Sequence, residues 1–147
     1  MNLELAYPVT LTPDEIDGGF VFTFQDVPEA ITQGEDLAGS LGQASDALEE
    51  AIAGRIRRGD PIPEPSEAAA GQLIVPVPAL TAAKAALYLA LREAGITKSE
   101  LAARLRCDEK EVRRLLDPTH HSKLSRIQEA LAVLGKRLAV RVIDEAA

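Results

Sequence analysis

Apolar residues recur at every second position in the first third of this chain and at every third or fourth position through most of the rest. Leu5–Leu11 reads as a strand, and Pro8, which has no backbone N–H to give, points to an edge position. Thr12–Gly19 is a run of turn residues. Phe20, Phe22 and Phe24 then alternate with Val21, Thr23 and Gln25, which predicts a strand over 20–25 with its phenylalanines on one face. Asp26–Glu29 turns the chain, and Ala30–Gln33 gives a short third strand ended by Gly34. These pieces predict a three-stranded antiparallel meander. From Asp36, a good helix cap, the period changes. Leu37, Leu41, Ala44, Leu48 and Ile52 form one stripe, so a helix is expected over 37–58, stopped by Gly59. Arg55, Arg57 and Arg58 near its end suit the negative pole of the helix dipole, which accounts for them without a function. Asp60–Ser66 is proline-rich and irregular, and Gln72–Val77 predicts a fourth strand that returns to the sheet.

Beyond Pro78 the pattern is helical. Thr81 is expected to cap a helix over 82–94, closed by Gly95. Thr97-Lys98-Ser99-Glu100 has the capping-box form and opens a helix over 98–105. Asp108-Glu109-Lys110-Glu111 has the same form and opens one over 109–116, stopped by Asp117-Pro118. Ser122 is expected to cap a fourth helix with the stripe Leu124, Ile127, Leu131 and Leu134. Arg137–Ile143 alternates like a strand.

The two short helices carry apolar residues where a helix-turn-helix needs them. Leu101, Ala102, Leu105, Cys107, Val112 and Leu115 all fall on the shared face, and Ala102 is small enough for close approach. The turn position that commonly holds glycine is Arg106, so a slightly different turn is expected. The second helix of such a pair enters the major groove by its N-terminal half. Glu109, Lys110, Arg113 and Arg114 face solvent there. Lys110 or Arg113 is placed for a guanine edge, while Arg114, Lys98, Ser99 and Lys123 suit phosphates. The same pattern also fits a plain helical bundle with ordinary surface lysines and arginines.

Charge sharpens this division. Residues 1–75 carry 14 Asp and Glu against three arginines, a net −11, while residues 76–147 carry nine acids against 13 Lys and Arg, a net +4. The chain is therefore expected to divide into 1–78 and 79–147, with different partners for the two parts. Aromatics are only 3% and Trp is absent, so the core must be Leu, Ile, Val and Ala. The one cysteine, Cys107, reads as a small buried hydrophobe, and no disulfide is expected. His120-His121 lacks further ligands, so no metal and no cofactor are expected. Asp14, Glu15, Asp17 and Asp26 resemble a nuclease's metal-binding acids in type only, since turns favour Asp anyway. No catalytic residues and no enzyme are expected. Met1-Asn2-Leu3-Glu4 has no basic n-region and no apolar run spans a bilayer, so a cytoplasmic protein with no membrane partner is expected.

Three stretches together resemble a known family. They are Phe24-Gln25-Asp26-Val27-Pro28-Glu29-Ala30-Ile31-Thr32-Gln33-Gly34, then Ile62-Pro63-Glu64-Pro65-Ser66, then Asp117-Pro118 through Leu134-Gly135-Lys136-Arg137-Leu138. In this order they resemble the HicB antitoxins of type II toxin–antitoxin systems, in particular members with a C-terminal helix-turn-helix. The resemblance implies an α+β protein. Its N-terminal domain would be a partial RNase H-like fold without nuclease activity, and a helix-turn-helix domain with a C-terminal strand would follow. It implies a HicA-type toxin as partner, a small basic protein that cleaves mRNA with a histidine, and repression of the shared operon at its operator DNA. The motifs do not say which residues meet the toxin. Charge points to the acidic turns at Asp14, Glu15, Asp17, Asp26 and Glu29. Operator binding by such a domain needs a two-fold assembly, so a homodimer or tetramer through the C-terminal domain is expected, with the 137–143 strands paired across the axis. The rival reading is a one-component transcriptional regulator with a ligand-sensing N-terminal domain.

Overall fold

The computed structural model describes residues 1–144. The element order is β1 (Ala6–Pro13), β2 (Phe20–Thr23), β3 (Ile31–Gly34), α1 (Leu37–Arg58), β4 (Leu73–Pro76), α2 (Ala79–Ala94), α3 (Lys98–Leu105), α4 (Glu109–Leu116) and α5 (Leu124–Val133). The protein is thus α+β, with a four-stranded antiparallel sheet in the order β3-β2-β1-β4. The meander and the returning strand are both as the sequence predicts.

Pro8 is not on an edge strand, because β1 lies between β2 and β4. The register explains why proline is tolerated. Residues 6–9 of β1 pair with β4, and residues 10–13 pair with β2. Pro8 therefore sits where β1 has one neighbour, and no ladder bond is lost.

Asp36 caps α1 as predicted, its carboxylate accepting from the Gly39 N–H at 2.6 Å. Gly59 ends the helix at φ 74°, a conformation that costs glycine little. The buried stripe is Ala44, Leu48, Ile52 and Ile56, while Leu37 and Leu41 are only partly covered. Helix α1 lies close on β3. A side chain at Gly34 would overlap the Ser40 side chain, so the absence of a Cβ there sets the approach.

The proline-rich segment is held in place by tertiary bonds. The Tyr7 hydroxyl donates to the Pro63 carbonyl at 2.7 Å, Arg55 donates to the Pro61 carbonyl at 2.9 Å, and Ile62 is buried. The buried core is continuous from Tyr7, Phe22 and Phe24 through Ile56 and Tyr88 to Leu101, Val112 and Ile127. Polar bonds cross the same junction. The Tyr88 hydroxyl donates to the Asp60 carbonyl at 2.7 Å, and Arg92 donates to the Gly59 carbonyl at 2.8 Å.

Three sequence expectations fail locally. Helix α2 begins at Ala79, not at 82, and Thr81 does not cap it: its hydroxyl donates to Glu49 on α1 at 2.9 Å. Helix α5 starts after Lys123 with no side-chain cap, because the Ser122 hydroxyl is engaged elsewhere, as described below. The strand expected at 137–143 is not formed. A strand needs a backbone partner, and residues 137–143 pair with no strand of the sheet although they pass near the start of β1. Leu138 packs on the core and Arg141 pairs with Glu4, but Val140 and Val142 are 77% and 90% exposed. Among the described residues no helix is long and apolar enough to cross a membrane.

Candidate functional site

Helices α3 and α4 have the bounds the capping pattern predicts. Thr97 accepts from the Glu100 N–H at 3.1 Å, and Asp108 accepts from the Glu111 N–H at 2.9 Å. Between them Arg106 itself takes the left-handed conformation, at φ 56° and ψ 45°. The turn is therefore built as it would be with glycine, at a strain of about 1 kcal/mol. The Cys107 N–H closes it on the Ala102 carbonyl at 3.0 Å. Leu101, Ala102, Val112 and Leu115 are buried, and Leu105 and Cys107 are partly so. Burial pushes the Cys107 thiol up, as expected of a packing residue.

One polar group in this core left no obvious trace in the sequence. Lys84 on α2 is fully buried. Its ammonium donates to the Arg114 carbonyl at 2.9 Å, the Leu115 carbonyl at 3.2 Å and the Ser122 hydroxyl at 2.8 Å. Those carbonyls belong to the last turn of α4, where the backbone supplies only the Asp117 N–H, to the Arg114 carbonyl at 3.2 Å. Ser122 completes the network by donating to the Arg114 carbonyl at 3.2 Å. Burial lowers the Lys84 pKa, and the Asp117 charge works against that. The available signal was spacing, since Thr81, Lys84, Leu87 and Leu91 share one helix face.

On α4 the buried residues are Val112, Leu115 and Leu116. Helical periodicity then puts Lys110 opposite the core, with Arg113 and Arg114 on either side. All three are exposed, as are Lys98, Ser99 and Lys123. Four of the candidates are linked. The Ser99 hydroxyl donates to Glu109 at 2.9 Å, Arg113 donates to Glu109 at 2.8 Å, and Lys98 adjoins Ser99 on α3. Glu109 is held below its ordinary pKa by Ser99 first and Arg113 second. It therefore ties the start of α3 to α4 as an anion. On the opposite flank Glu111 pairs with Arg126 of α5 at 2.7 Å, and Lys123 lies at the start of that helix, apart from the linked four.

The five acidic candidates in the sheet half do not form one cluster. Asp14, Glu15 and Asp17 lie in the β1–β2 turn, and Asp26 and Glu29 lie at the other end of β2. Three have local work. Asp14 accepts from the N–H groups of Ile16 and Asp17, at 3.1 and 3.2 Å. Asp26 accepts from the Ser66 N–H and hydroxyl, at 2.8 and 2.5 Å. Glu29 takes two bonds from Arg55, at 2.7 and 2.8 Å, and this guanidinium holds its carboxyl below the usual value. The structure adds acids that the turn argument missed. A groove of about 510 Å³ between β3 and α1 is lined by Glu29, Asp46 and Glu50. It runs beside Ile31, which is 59% exposed on the sheet's outer strand. Asp46 and Glu50 are one helical turn apart, a spacing readable from sequence once α1 is placed.

His120 approaches the Ser122 hydroxyl through Nδ1 at 3.1 Å. Among the described residues no three His, Cys, Asp or Glu side chains are placed to hold a metal.

Comparison with known proteins gives this geometry its context. A family described as "HicB_like antitoxin of bacterial toxin-antitoxin system" matches residues 6–86, the whole sheet with α1 and the first half of α2. The Antitoxin HicB of Escherichia coli (strain K12) is 37% identical over 139 residues, covering 95% of this chain and all of the relative. The Antitoxin HicB of Pseudomonas fluorescens (strain Pf0-1) is 34% identical, covering 97% of this chain and 98% of its own length. The Antitoxin HicB 1 of Photorhabdus laumondii is 34% identical over 94% of this chain and 87% of its own. The likeness therefore runs on through α3 and α4, and the chain belongs to the HicB-like antitoxin family.

Proposed function

We propose that this antitoxin neutralises a HicA-type toxin through its sheet and α1, and represses its own operon by binding operator DNA through α3 and α4. In this reading residues 1–78 are a partial RNase H-like toxin-binding domain that does no catalysis. Residues 79–147 are the helix-turn-helix and dimerisation domain, and the protein works in the cytoplasm. The observation that carries the DNA half is the exposed face of α4. Lys110 and Arg113 stand clear of the core there, on a helix whose two ends are fixed by Asp108 and Lys84. Among the described residues Arg113 pairs only with the half-exposed Glu109, so DNA competes for it at low cost. Lys98, Ser99, Arg114 and Lys123 serve phosphates, and Glu109 orients Arg113.

Charge complementarity supports the toxin half. A small basic partner meets its counter-charge at Asp46 and Glu50 in the α1–β3 groove, and at Glu15 and Asp17 in the exposed turn. Asp14, Asp26 and Glu29 contribute field more than contact, since each already accepts local bonds. The bare Val140–Ile143 segment suits pairing with its two-fold copy in a homodimer, or in a tetramer of dimers. The antitoxin relatives favour this reading over a one-component regulator with a ligand-sensing domain.

The direct test looks for a short basic reading frame beside this one, whose absence would favour the one-component regulator, and expresses the two together. Co-expression should rescue growth and copurify both chains, and the complex should shift DNA from upstream of the pair. Growth arrest unrelieved by this protein would refute the toxin half. Failure to distinguish that DNA from a shuffled duplex would refute the operator half.

A further inference from the structure

The end of α1 and the rim of the α3–α4 pair close around a second cleft, of about 560 Å³. Its lining carries Arg57, Arg58, Arg92, Lys98 and Arg113 against a single acid, Asp117. Two of these cations are already matched, Arg58 with Asp60 and Arg113 with Glu109, each at 2.8 Å. Arg57, Arg92 and Lys98 are exposed and make no salt bridge among the described residues. Arg92 is nevertheless held in place. Its Nη1 donates to the Gly59 carbonyl and the Tyr88 hydroxyl, and its guanidinium lies 5.1 Å from the centre of the Tyr88 ring. Among the described residues, its hydrogen bonds use Nη1 and leave Nε and Nη2 without a partner.

The helix dipole accounts for the arginines at the end of α1 and for Arg92 in the last turn of α2, but not for Lys98, which joins them from the positive end of α3. Cations from three elements on one cleft repel each other, and an anion relieves that repulsion. Lys98 and Arg113 belong both to this cleft and to the face assigned to DNA, so the two surfaces are continuous.

We propose that this cleft grips a phosphate of the duplex backbone beside the base contacts, with Arg57 and Arg92 supplying charge from outside the helix pair. The proposal rests on the reading of α4 as the DNA-reading helix and extends it, because the acidic half of the chain then also touches the operator. The contact carries no sequence information, so it strengthens binding to every duplex alike.

The test titrates salt against binding of the full chain to two probes, the duplex directly upstream of its own reading frame and a shuffled duplex of equal length. Arg57→Gln should lower the slope of log K against log salt by about 0.9, the value for one lost phosphate contact. Affinity for both duplexes should fall by the same factor, and the thermal midpoint should hold, since Arg57 is exposed and makes no salt bridge. Arg92→Gln should lower the slope equally, with its midpoint measured because it also loses Tyr88. Unchanged slopes in both variants, with the unaltered chain still telling the duplexes apart, would overturn the cleft and leave the α4 reading intact. A change of oligomeric mass with unchanged slopes would assign the cleft to the acidic half of a second copy, and also overturn the proposal. No binding of either duplex by the unaltered chain would remove both readings.

Discussion

The two halves of this antitoxin use charge in opposite ways. In the sheet half, acids outnumber bases heavily, yet Asp14, Asp26 and Glu29 are occupied in holding turns and the proline-rich segment. In the helical half the excess of cations is small, but Lys98, Lys110, Arg113 and Arg114 stand on the outer surface. Net charge therefore overstates what the first half offers a partner and understates what the second offers. Available charge is what remains after the fold has taken its share. By that measure Asp46 and Glu50 in the groove count as much as Glu15 and Asp17, the acids left over in the turn.

Lys84 is the sharpest exception, a helical-half cation committed wholly to the fold. Lys84→Met should leave the Leu115 carbonyl without its donor and take one partner each from the Arg114 carbonyl and the Ser122 hydroxyl. It should cost about 3 kcal/mol in urea unfolding and weaken operator binding with it. An unchanged midpoint would break the contrast, because Lys84 would then be a passive buried charge. Next in size, Lys110→Ala with Arg113→Ala should cost about 1–3 kcal/mol per lost base contact in operator titrations. Its thermal midpoint should stay near that of the parent, since both side chains are outside the core. A large midpoint shift would mean that these cations serve the fold after all.

Smaller again, Arg106→Gly should stabilise the chain by about 1 kcal/mol, by relieving the left-handed arginine at the turn. A loss of stability would show that the Arg106 side chain contributes more than its backbone costs. The smallest effect is at Glu29. Its folded pKa is depressed, so its stabilisation is complete above its ordinary 4.5 and is lost as pH falls through the folded value. Glu29→Gln should therefore flatten the acid limb of a midpoint-against-pH curve, by under about 1 kcal/mol for a pair this exposed. An unaltered acid limb would return Glu29 to the charge open to a partner.

Local chemistry made much of the fold legible. Capping residues placed α3 and α4 to the residue, alternation found β2, and short runs bounded by turn residues found the other three strands. Hydroxyls were the weak point. Thr81 and Ser122 look like caps because a cap needs only a side-chain oxygen near a helix start. The structure gives both of them tertiary partners, Glu49 and Lys84, from other elements. The tail misled for a different reason, since alternation records a preference for pairing but not whether one chain contains the partner. At the candidate site, the nearness of Lys98, Ser99, Glu109 and Arg113 was legible because they lie on two adjacent helices of known phase. That of Arg57 and Arg92 was not. Arg57 meets the pair only through tertiary packing across about forty residues of chain, and Arg92 through the angle at which α2 turns into α3, and neither leaves a periodic mark.

Helix α1 also acts as a ruler. At 1.5 Å per residue, the groove at Asp46 and Glu50 lies only about 10–17 Å along its axis from Arg57 at the basic cleft. The Tyr88 and Arg92 bonds to Gly59 and Asp60 fix that end of the ruler to α2. A protein seated in the groove is then carried at a set offset from any duplex on α4. Its bulk, and not only its affinity, would decide how closely two copies can stand on neighbouring half-sites.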